Sequence, residues 1–138
     1  MKGEYQHTLD VKGRLFIPAK LREELGDSFV VTKGLDECLF LYPLEAWKQL
    51  EEKIRQLPMS KSRNLQRFFL SAAADVTVDK QGRIVIPPVL RNHAKLQRDV
   101  TIIGVLDRAE VWDRQRWDTY NGQMDADSIA DAMEELGF

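Results

Sequence analysis

The sequence predicts an α+β fold made from two copies of one short unit. The first observation is an internal repeat, because residues 8–18 (TLDVKGRLFIP) recur as residues 77–87 (TVDKQGRIVIP). The second is the pattern inside each copy, where short β-prone runs flank an Asp-x-x-Gly turn and a proline precedes apolar residues at helical spacing. The third is that the match continues as far as Trp47 and Trp117. Self-similarity over this length indicates a tandem duplication.

Each copy begins with a predicted β-hairpin that is closed by Asp-x-x-Gly. Asp10 and Asp79 stand at the first turn position, where a carboxylate can accept hydrogen bonds from the backbone two residues further on. Gly13 and Gly82 supply the positive φ that closes a short hairpin loop. We therefore expect these four residues to be structural parts of the turns.

The rest of each copy predicts a short helix, two more strands and a second helix. In the first copy the helix after Pro18 carries Leu21 and Leu25 on one face, and strands are expected over residues 28–32 and 38–41. The first copy ends with a predicted helix over 43–57, and a linker helix is expected over 62–74. The second copy repeats the order, with a helix that has Leu90 and Ala94 on one face, strands over 100–105 and 109–112, and a helix capped by Asp113.

The duplication divides the chain into four parts. We expect a first unit over residues 4–50, a helical linker over 51–73, a second unit over 74–120 and an acidic C-terminal tail over 121–138. A unit of about 45 residues buries too little apolar surface to be stable alone. Since Cys38 is the only cysteine, no internal disulfide can compensate. The units must therefore pair with each other, with another chain, or with both.

Composition and charge exclude several classes of protein. No apolar run reaches the length of a membrane span and residues 1–10 lack the layout of a signal peptide, so we expect a cytoplasmic protein. One cysteine and two histidines cannot make a typical structural zinc site, and we expect no metal and no cofactor. The net charge of −2 is unfavourable for a DNA-binding protein. However, basic residues concentrate in residues 48–67 and acidic residues in the tail, so the chain can still present a basic face.

The duplicated D-x-x-G-R-[LI]-x-I-P motif resembles the hairpin of SpoVT/AbrB-type DNA-binding domains. Two copies in one chain, each followed by a Trp-bearing helix, are similar to the MraZ family, and the resemblance covers residues 4–120. It implies swapped hairpins that interleave into a compact double-ψ-like β-barrel with flanking helices, and subunits that assemble into a ring such as an octamer. It also implies a nucleoid-associated transcriptional regulator, commonly a repressor of its own cell-division and cell-wall operon. Such a regulator binds short G-rich direct repeats in double-stranded promoter DNA.

The resemblance places the DNA contacts on the two D-x-x-G-R hairpins. Arg14 and Arg83 are the expected base contacts, because a guanidinium can donate two hydrogen bonds to O6 and N7 of guanine. Lys12 and Lys80 are the expected phosphate contacts. Gln81, which stands where the first copy has Lys12, is a further expected DNA contact. Local chemistry leaves an alternative open, since each arginine could instead pair with the aspartate of its own turn.

Two other classes of function stay open from the residues alone. An enzyme is the first, but the chain has no G-x-S-x-G, P-loop, Rossmann or H-E-x-x-H motif, and we expect no catalysis. The second is a non-catalytic oligomeric interaction protein or an antitoxin-like member of the same superfamily, whose acidic tail would bind a basic partner. In that tail Ile129, Met133 and Leu136 have helical spacing, which predicts a short amphipathic helix docked on the body.

Overall fold

The structure, a computed structural model that describes residues 1–138, repeats one order of seven elements. In the first half these are β1 Glu4–Thr8, β2 Arg14–Phe16, α1 Ala19–Leu25, β3 Ser28–Lys33, β4 Leu39–Pro43, α2 Leu44–Arg55 and α3 Met59–Leu65. In the second half they are β5 Ala74–Thr77, β6 Arg83–Val85, α4 Pro88–His93, β7 Asp99–Gly104, β8 Ala109–Asp113, α5 Arg114–Gly122 and α6 Ala126–Glu135. A π-helical turn, Gln66–Leu70, follows α3. The fold is therefore mixed α+β, as predicted.

The two halves exchange strands within one antiparallel sheet of order β1-β7-β8-β4-β3-β5. Strand β1 of the first half pairs with β7 of the second, and β5 of the second half pairs with β3 of the first. Strands β4 and β8 meet at the centre, where Phe40 lies opposite Glu110. Strands β2 and β6 form a separate two-stranded ribbon in which Leu15 lies opposite Ile84. Each half thus completes the other, and the pairings are related by a pseudo-twofold axis.

The expected closed β-barrel is not formed. Strands β1 and β5 are the outer strands of the six-stranded sheet, and each pairs with one neighbour, so the sheet keeps two open edges. The strands that follow the hairpin turns do not close these edges, because β2 and β6 pair with each other. An isolated bridge between Leu9 and Leu15 links the two systems. The structure is an open sheet with a ribbon packed on one face.

Two apolar clusters cover opposite faces of the sheet. The larger has 19 buried residues, lies beneath the ribbon with α1 and α4, and draws on both halves of the chain. The smaller has nine and lies beneath α2, α5 and the π-helical turn. Its members include Trp47, Trp112 and Trp117, which places all three tryptophans in the core. Because both clusters combine residues from both halves, the units stabilise each other, which agrees with the argument from their small size.

The helices agree with the sequence prediction except in the linker. Asp113 caps α5, and its carboxylate accepts a hydrogen bond from the backbone N–H of Arg116 at 3.4 Å. The linker helix predicted over 62–74 begins earlier, at Met59, and it ends earlier because Ala74 pairs with Val31 in the sheet. Sheet pairing here overrides the helix propensity of three successive alanines. None of the helices combines the length and apolar character that crossing a bilayer requires.

The acidic tail forms the predicted helix, but the prediction that it docks on the body is wrong. Helix α6 begins after Asp125, whose carboxylate accepts a hydrogen bond from the backbone N–H of Asp127 at 3.2 Å. No residue of α6 is buried, and Ile129, Met133 and Leu136 are all exposed. Helical spacing identified an apolar face but not a surface within the chain to cover it.

Candidate nucleic-acid interface

The first hairpin turn is organised around the carboxylate of Asp10. Its Oδ1 accepts hydrogen bonds from the backbone N–H of Lys12 at 3.0 Å and of Arg14 at 2.8 Å. Its backbone carbonyl accepts a hydrogen bond from the N–H of Gly13 at 3.0 Å. Its Oδ2 accepts a hydrogen bond from Nε of Arg14 at 2.6 Å. One carboxylate therefore fixes both the turn and the side chain that leaves it.

The second hairpin turn repeats this network almost atom for atom. Asp79 Oδ1 accepts hydrogen bonds from the backbone N–H of Gln81 at 2.8 Å and of Arg83 at 2.9 Å, and its carbonyl accepts one from Gly82 at 3.0 Å. Arg83 Nε donates to Asp79 Oδ2 at 3.2 Å, and its Nη2 donates to Gln81 Oε1 at 3.4 Å. The duplication thus preserves the geometry of the turn as well as its sequence.

Both turn aspartates are held in their ionised form. The backbone N–H of Arg14 is the main cause that lowers the pKa of Asp10 below its usual value of 3.8. The backbone N–H of Arg83 likewise lowers the pKa of Asp79. Hydrogen bonds to the charged form of a carboxylate favour that form, and the nearby guanidinium adds to the effect. The aspartates are therefore permanent acceptors in their turns near neutral pH.

The ion pair left open as an alternative from the sequence is the arrangement that the structure shows. Each arginine is engaged through Nε with the aspartate four residues before it. Neither terminal nitrogen of Arg14 makes a hydrogen bond within the chain, and the side chains of Arg14 and Arg83 are 33% and 30% exposed. The guanidinium has five N–H donors in a rigid plane, so one bond to a carboxylate orients the others without consuming them.

The turn glycines are required by conformation and by close packing between the two halves. Gly13 and Gly82 have φ values of +79° and +81°. A Cβ on Gly13 would lie 2.9 Å from the carbonyl oxygen of Ile86, and one on Gly82 would lie 2.8 Å from the ring of Phe16. The carbonyls of Gly13 and Gly82 accept hydrogen bonds from the N–H groups of Ile86 and Ile17 at 2.8 and 2.9 Å. Each turn is therefore locked onto the opposite half of the molecule.

The ribbon of β2 and β6 brings both arginines to one surface. Arg14 lies opposite Val85, and Arg83 lies opposite Phe16. The middle residue of each strand, Leu15 or Ile84, points to the core. The side chains before and after it, including both arginines, therefore share the outer face. Phe16 and Val85 are 40% and 55% exposed. These two apolar residues are an unpredicted part of this face, although the two-residue alternation after each glycine was the signal for them.

The remaining predicted contacts lie on the turns themselves. Lys12 and Lys80 are exposed and take part in no salt bridge, and Gln81 is exposed beside Arg83. The two lysines do not occupy equivalent positions, since Lys80 stands where the first turn has Val11, which is 97% exposed. The basic charge is thus placed at the tips of both hairpins, one residue apart along the turn.

The interleaved units and the paired arginine-bearing turns define a tandem swapped-hairpin protein with a cationic two-stranded ribbon. The family model described as "MraZ protein, putative antitoxin-like" matches the chain twice, over residues 1–68 and 69–137. A Heliobacterium modesticaldum protein named "Transcriptional regulator MraZ" is 56% identical over 136 residues, which cover 97% of this chain and 94% of that protein. A protein of the same name from Acetivibrio thermocellus is 55% identical over 139 residues, which cover 98% and 97%. The chain belongs to the MraZ family of transcriptional regulators, which confirms the resemblance found in the repeat.

Proposed function

We propose that this chain is a sequence-specific transcriptional regulator that contacts duplex promoter DNA through the ribbon of β2 and β6. The observation that carries the proposal is that two equivalent turns present Arg14 and Arg83 on one exposed face. The major groove of B-form DNA is wide enough to admit a two-stranded β-ribbon. The close similarity to proteins named as transcriptional regulators supports the same role for this chain.

The arginines are the base-reading groups of the proposal. The carboxylates of Asp10 and Asp79 hold Nε of each guanidinium, so its terminal nitrogens are already oriented before DNA arrives. Pre-organised donors lose less conformational freedom on binding than a freely rotating side chain does. A guanidinium that donates to O6 and N7 of guanine discriminates against the wrong base by about 1–3 kcal/mol. The proposed target is therefore guanine-containing.

The lysines and the glutamine of the turns are the proposed backbone contacts. Lys12 and Lys80 carry unpaired ammonium groups at the hairpin tips, where a ribbon in the major groove approaches the phosphates that border it. Gln81 can donate a hydrogen bond to a phosphate oxygen at the same place in the second turn. Contacts of this type position the protein on DNA and make binding depend on salt, without reading sequence.

The proposed function also requires that several chains assemble and bind DNA together. One ribbon contacts few base pairs, so a homo-oligomer, such as a ring of eight chains, would bind evenly spaced short G-rich direct repeats with an affinity that a single chain lacks. Occupancy of such repeats upstream of the chain's own cell-division and cell-wall operon would repress that operon by excluding RNA polymerase. The exposed apolar residues of the chain support assembly.

A titration with two DNA duplexes tests the proposal. One duplex carries the sequence immediately upstream of this gene, and the other carries the same bases in shuffled order. We expect tighter binding to the first duplex, and a fall in affinity for both as the salt concentration rises. Equal affinity for the two duplexes at every salt concentration would contradict sequence-specific regulation. Light scattering on the free protein measures the mass of the oligomer independently of DNA.

A further inference from the structure

Helix α6 has an apolar face that no other part of the chain covers. Ile129, Met133 and Leu136 follow each other at helical spacing and are 54%, 42% and 71% exposed. An isolated helix of this length is marginal in water, and helices in proteins gain most of their stability by burying an apolar face. A well-formed α6 therefore calls for a partner surface outside its own chain.

The charges of α6 indicate the kind of surface that it needs. The tail carries Asp125, Asp127, Asp131, Glu134 and Glu135 with no basic residue, and none of these carboxylates takes part in a salt bridge. Glu134 and Glu135 lie in the last turn, where the negative end of the helix dipole disfavours acidic side chains. A cationic surface would offset both the mutual repulsion and the unfavourable end charges.

The linker region offers a surface that is both apolar and cationic. An open groove of about 150 Å³ lies between α2 and the π-helical turn, and it is lined by Glu51, Ile54, Arg55, Gln66 and Leu70. Leu70 of this lining is exposed, and Leu57 and Met59 are exposed at the junction of α2 and α3. We call the exposed face of α2, α3 and the π-helical turn around this groove the linker groove surface.

Unpaired basic residues flank the linker groove surface on both sides. Lys48 shares a helical face with Glu51 and Arg55, while Arg63 and Arg67 share a face with Gln66 and Leu70. Lys48, Arg63 and Arg67 are exposed and make no salt bridge within the chain. Glu51 lines the groove and Arg55 is paired with Glu52, so the excess positive charge comes from the three flanking residues. That charge is opposite to the charge of α6, and Ile54 and Leu70 supply the apolar part of the groove.

We propose that α6 of one copy docks in the linker groove surface of a second copy of this chain. The proposal rests on the homo-oligomer of the proposed function but not on its contact with DNA. Every chain carries one α6 and one groove, so in the ring of the proposed function each copy engages two neighbours head to tail. Head-to-tail contacts of this kind generate a closed ring where the rotation between copies closes. The tail is thus the assembly element of the protein.

Disulfide capture between separately substituted chains tests the docking. One chain carries Met133→Cys on α6 and the other carries Leu70→Cys at the groove, and the two are mixed and oxidised. The native Cys38 does not interfere, because it is fully buried and burial raises the pKa of its thiol. We expect a covalent heterodimer in the mixture, identified by its mass. A yield no higher than that of Met133→Cys mixed with Val89→Cys, which is exposed on α4, would overturn the proposal.

Charge reversal in the same capture experiment tests the electrostatic part. The changes Glu134→Lys and Glu135→Lys on the tail should lower the yield several-fold, and Arg63→Glu with Arg67→Glu on the groove chain should do the same. Combining the two reversed chains should restore it. If reversal at the groove leaves the yield unchanged and weakens DNA binding instead, this surface contacts DNA and the docking proposal is wrong. Because the capture is done without DNA, a failure of ribbon binding leaves its outcome unaffected.

Discussion

The carboxylate of Asp10 holds Arg14 twice, through the backbone N–H at 2.8 Å and through Nε at 2.6 Å. The same pair of bonds joins Asp79 to Arg83 at 2.9 and 3.2 Å. The residue that closes each hairpin is therefore also the residue that aims its arginine. The same carboxylate thus shapes the turn and orients the arginine of the proposed base contact.

Changing both turn aspartates to asparagine should reduce specificity for the cognate DNA. Asp10→Asn and Asp79→Asn keep an acceptor for the backbone but lose the charge that holds each guanidinium. Removing two negative charges strengthens attraction to any DNA, while freer arginines discriminate less well. We expect the ratio of the two dissociation constants, shuffled over upstream duplex, to fall about tenfold, which corresponds to ~1.4 kcal/mol. An unchanged ratio would show that the carboxylates do not aim the arginines.

The same aspartates should make stability depend on acid pH. Their pKa values are lower in the folded chain than the usual 3.8, so their contribution to stability is complete above pH 3.8 and is lost as the pH falls through the lowered values. The parent should therefore exceed the double asparagine variant in free energy of unfolding near neutral pH. This difference should shrink below pH 3.8. Urea titrations at fixed protein concentration over this range measure it, and a difference that grows in acid would contradict the assignment.

Alanine at the first turn glycine should destabilise the fold. Gly13 has φ +79°, and a Cβ there would meet the Ile86 carbonyl oxygen at 2.9 Å, which belongs to the backbone and cannot move aside easily. The positive φ alone costs about 1–2 kcal/mol for a residue with a Cβ. Gly122→Ala is the matched control, since Gly122 lies in α5 with no atom near the added Cβ. It should be neutral or stabilising by about 0.5–1 kcal/mol. Urea unfolding compares the two.

Adjacent residues of β6 should differ strongly in the stability that truncation costs. Ile84 is 1% exposed and belongs to the larger core cluster, whereas Val85 is 55% exposed on the outer face of the ribbon. Ile84→Ala should lower the free energy of unfolding by about 2–5 kcal/mol. Val85→Ala should change it by about 0.5 kcal/mol or less. Similar losses from both changes would mean that the ribbon does not present one face to the core and the other to solvent.

Local sequence signals were sufficient for the hairpins and most of the secondary structure. The Asp-x-x-Gly pattern predicted turn acceptors at Asp10 and Asp79, and both carboxylates accept backbone hydrogen bonds there. Such turns are decided by residues within a few positions of each other, so the sequence contains their determinants. The pairing of units was also accessible, because the small size of one unit forbids an independent core.

Features decided by distant contacts were not accessible from the sequence. The linker helix ends before Ala74 because that residue pairs with Val31, a contact that no local pattern encodes. The sheet stays open because β2 and β6 pair with each other and not with the outer strands β1 and β5. The apolar spacing of Ile129 and Met133 correctly predicted a helix, but spacing alone does not say which surface covers it. The periodicity of apolar residues identifies the apolar face of a helix but not the surface that packs against it.

Replacing Arg14 and Arg83 by alanine tests most directly the proposal that these two residues contact the bases. Fluorescence anisotropy measures binding to the upstream duplex, light scattering checks that the oligomer is intact, and Arg22→Ala serves as the control because Arg22 is an ion-paired arginine outside the ribbon. Each ribbon variant should bind about tenfold more weakly or worse. The double variant should bind the upstream and shuffled duplexes alike. A double variant with an intact oligomer and the affinity of the parent would contradict the account.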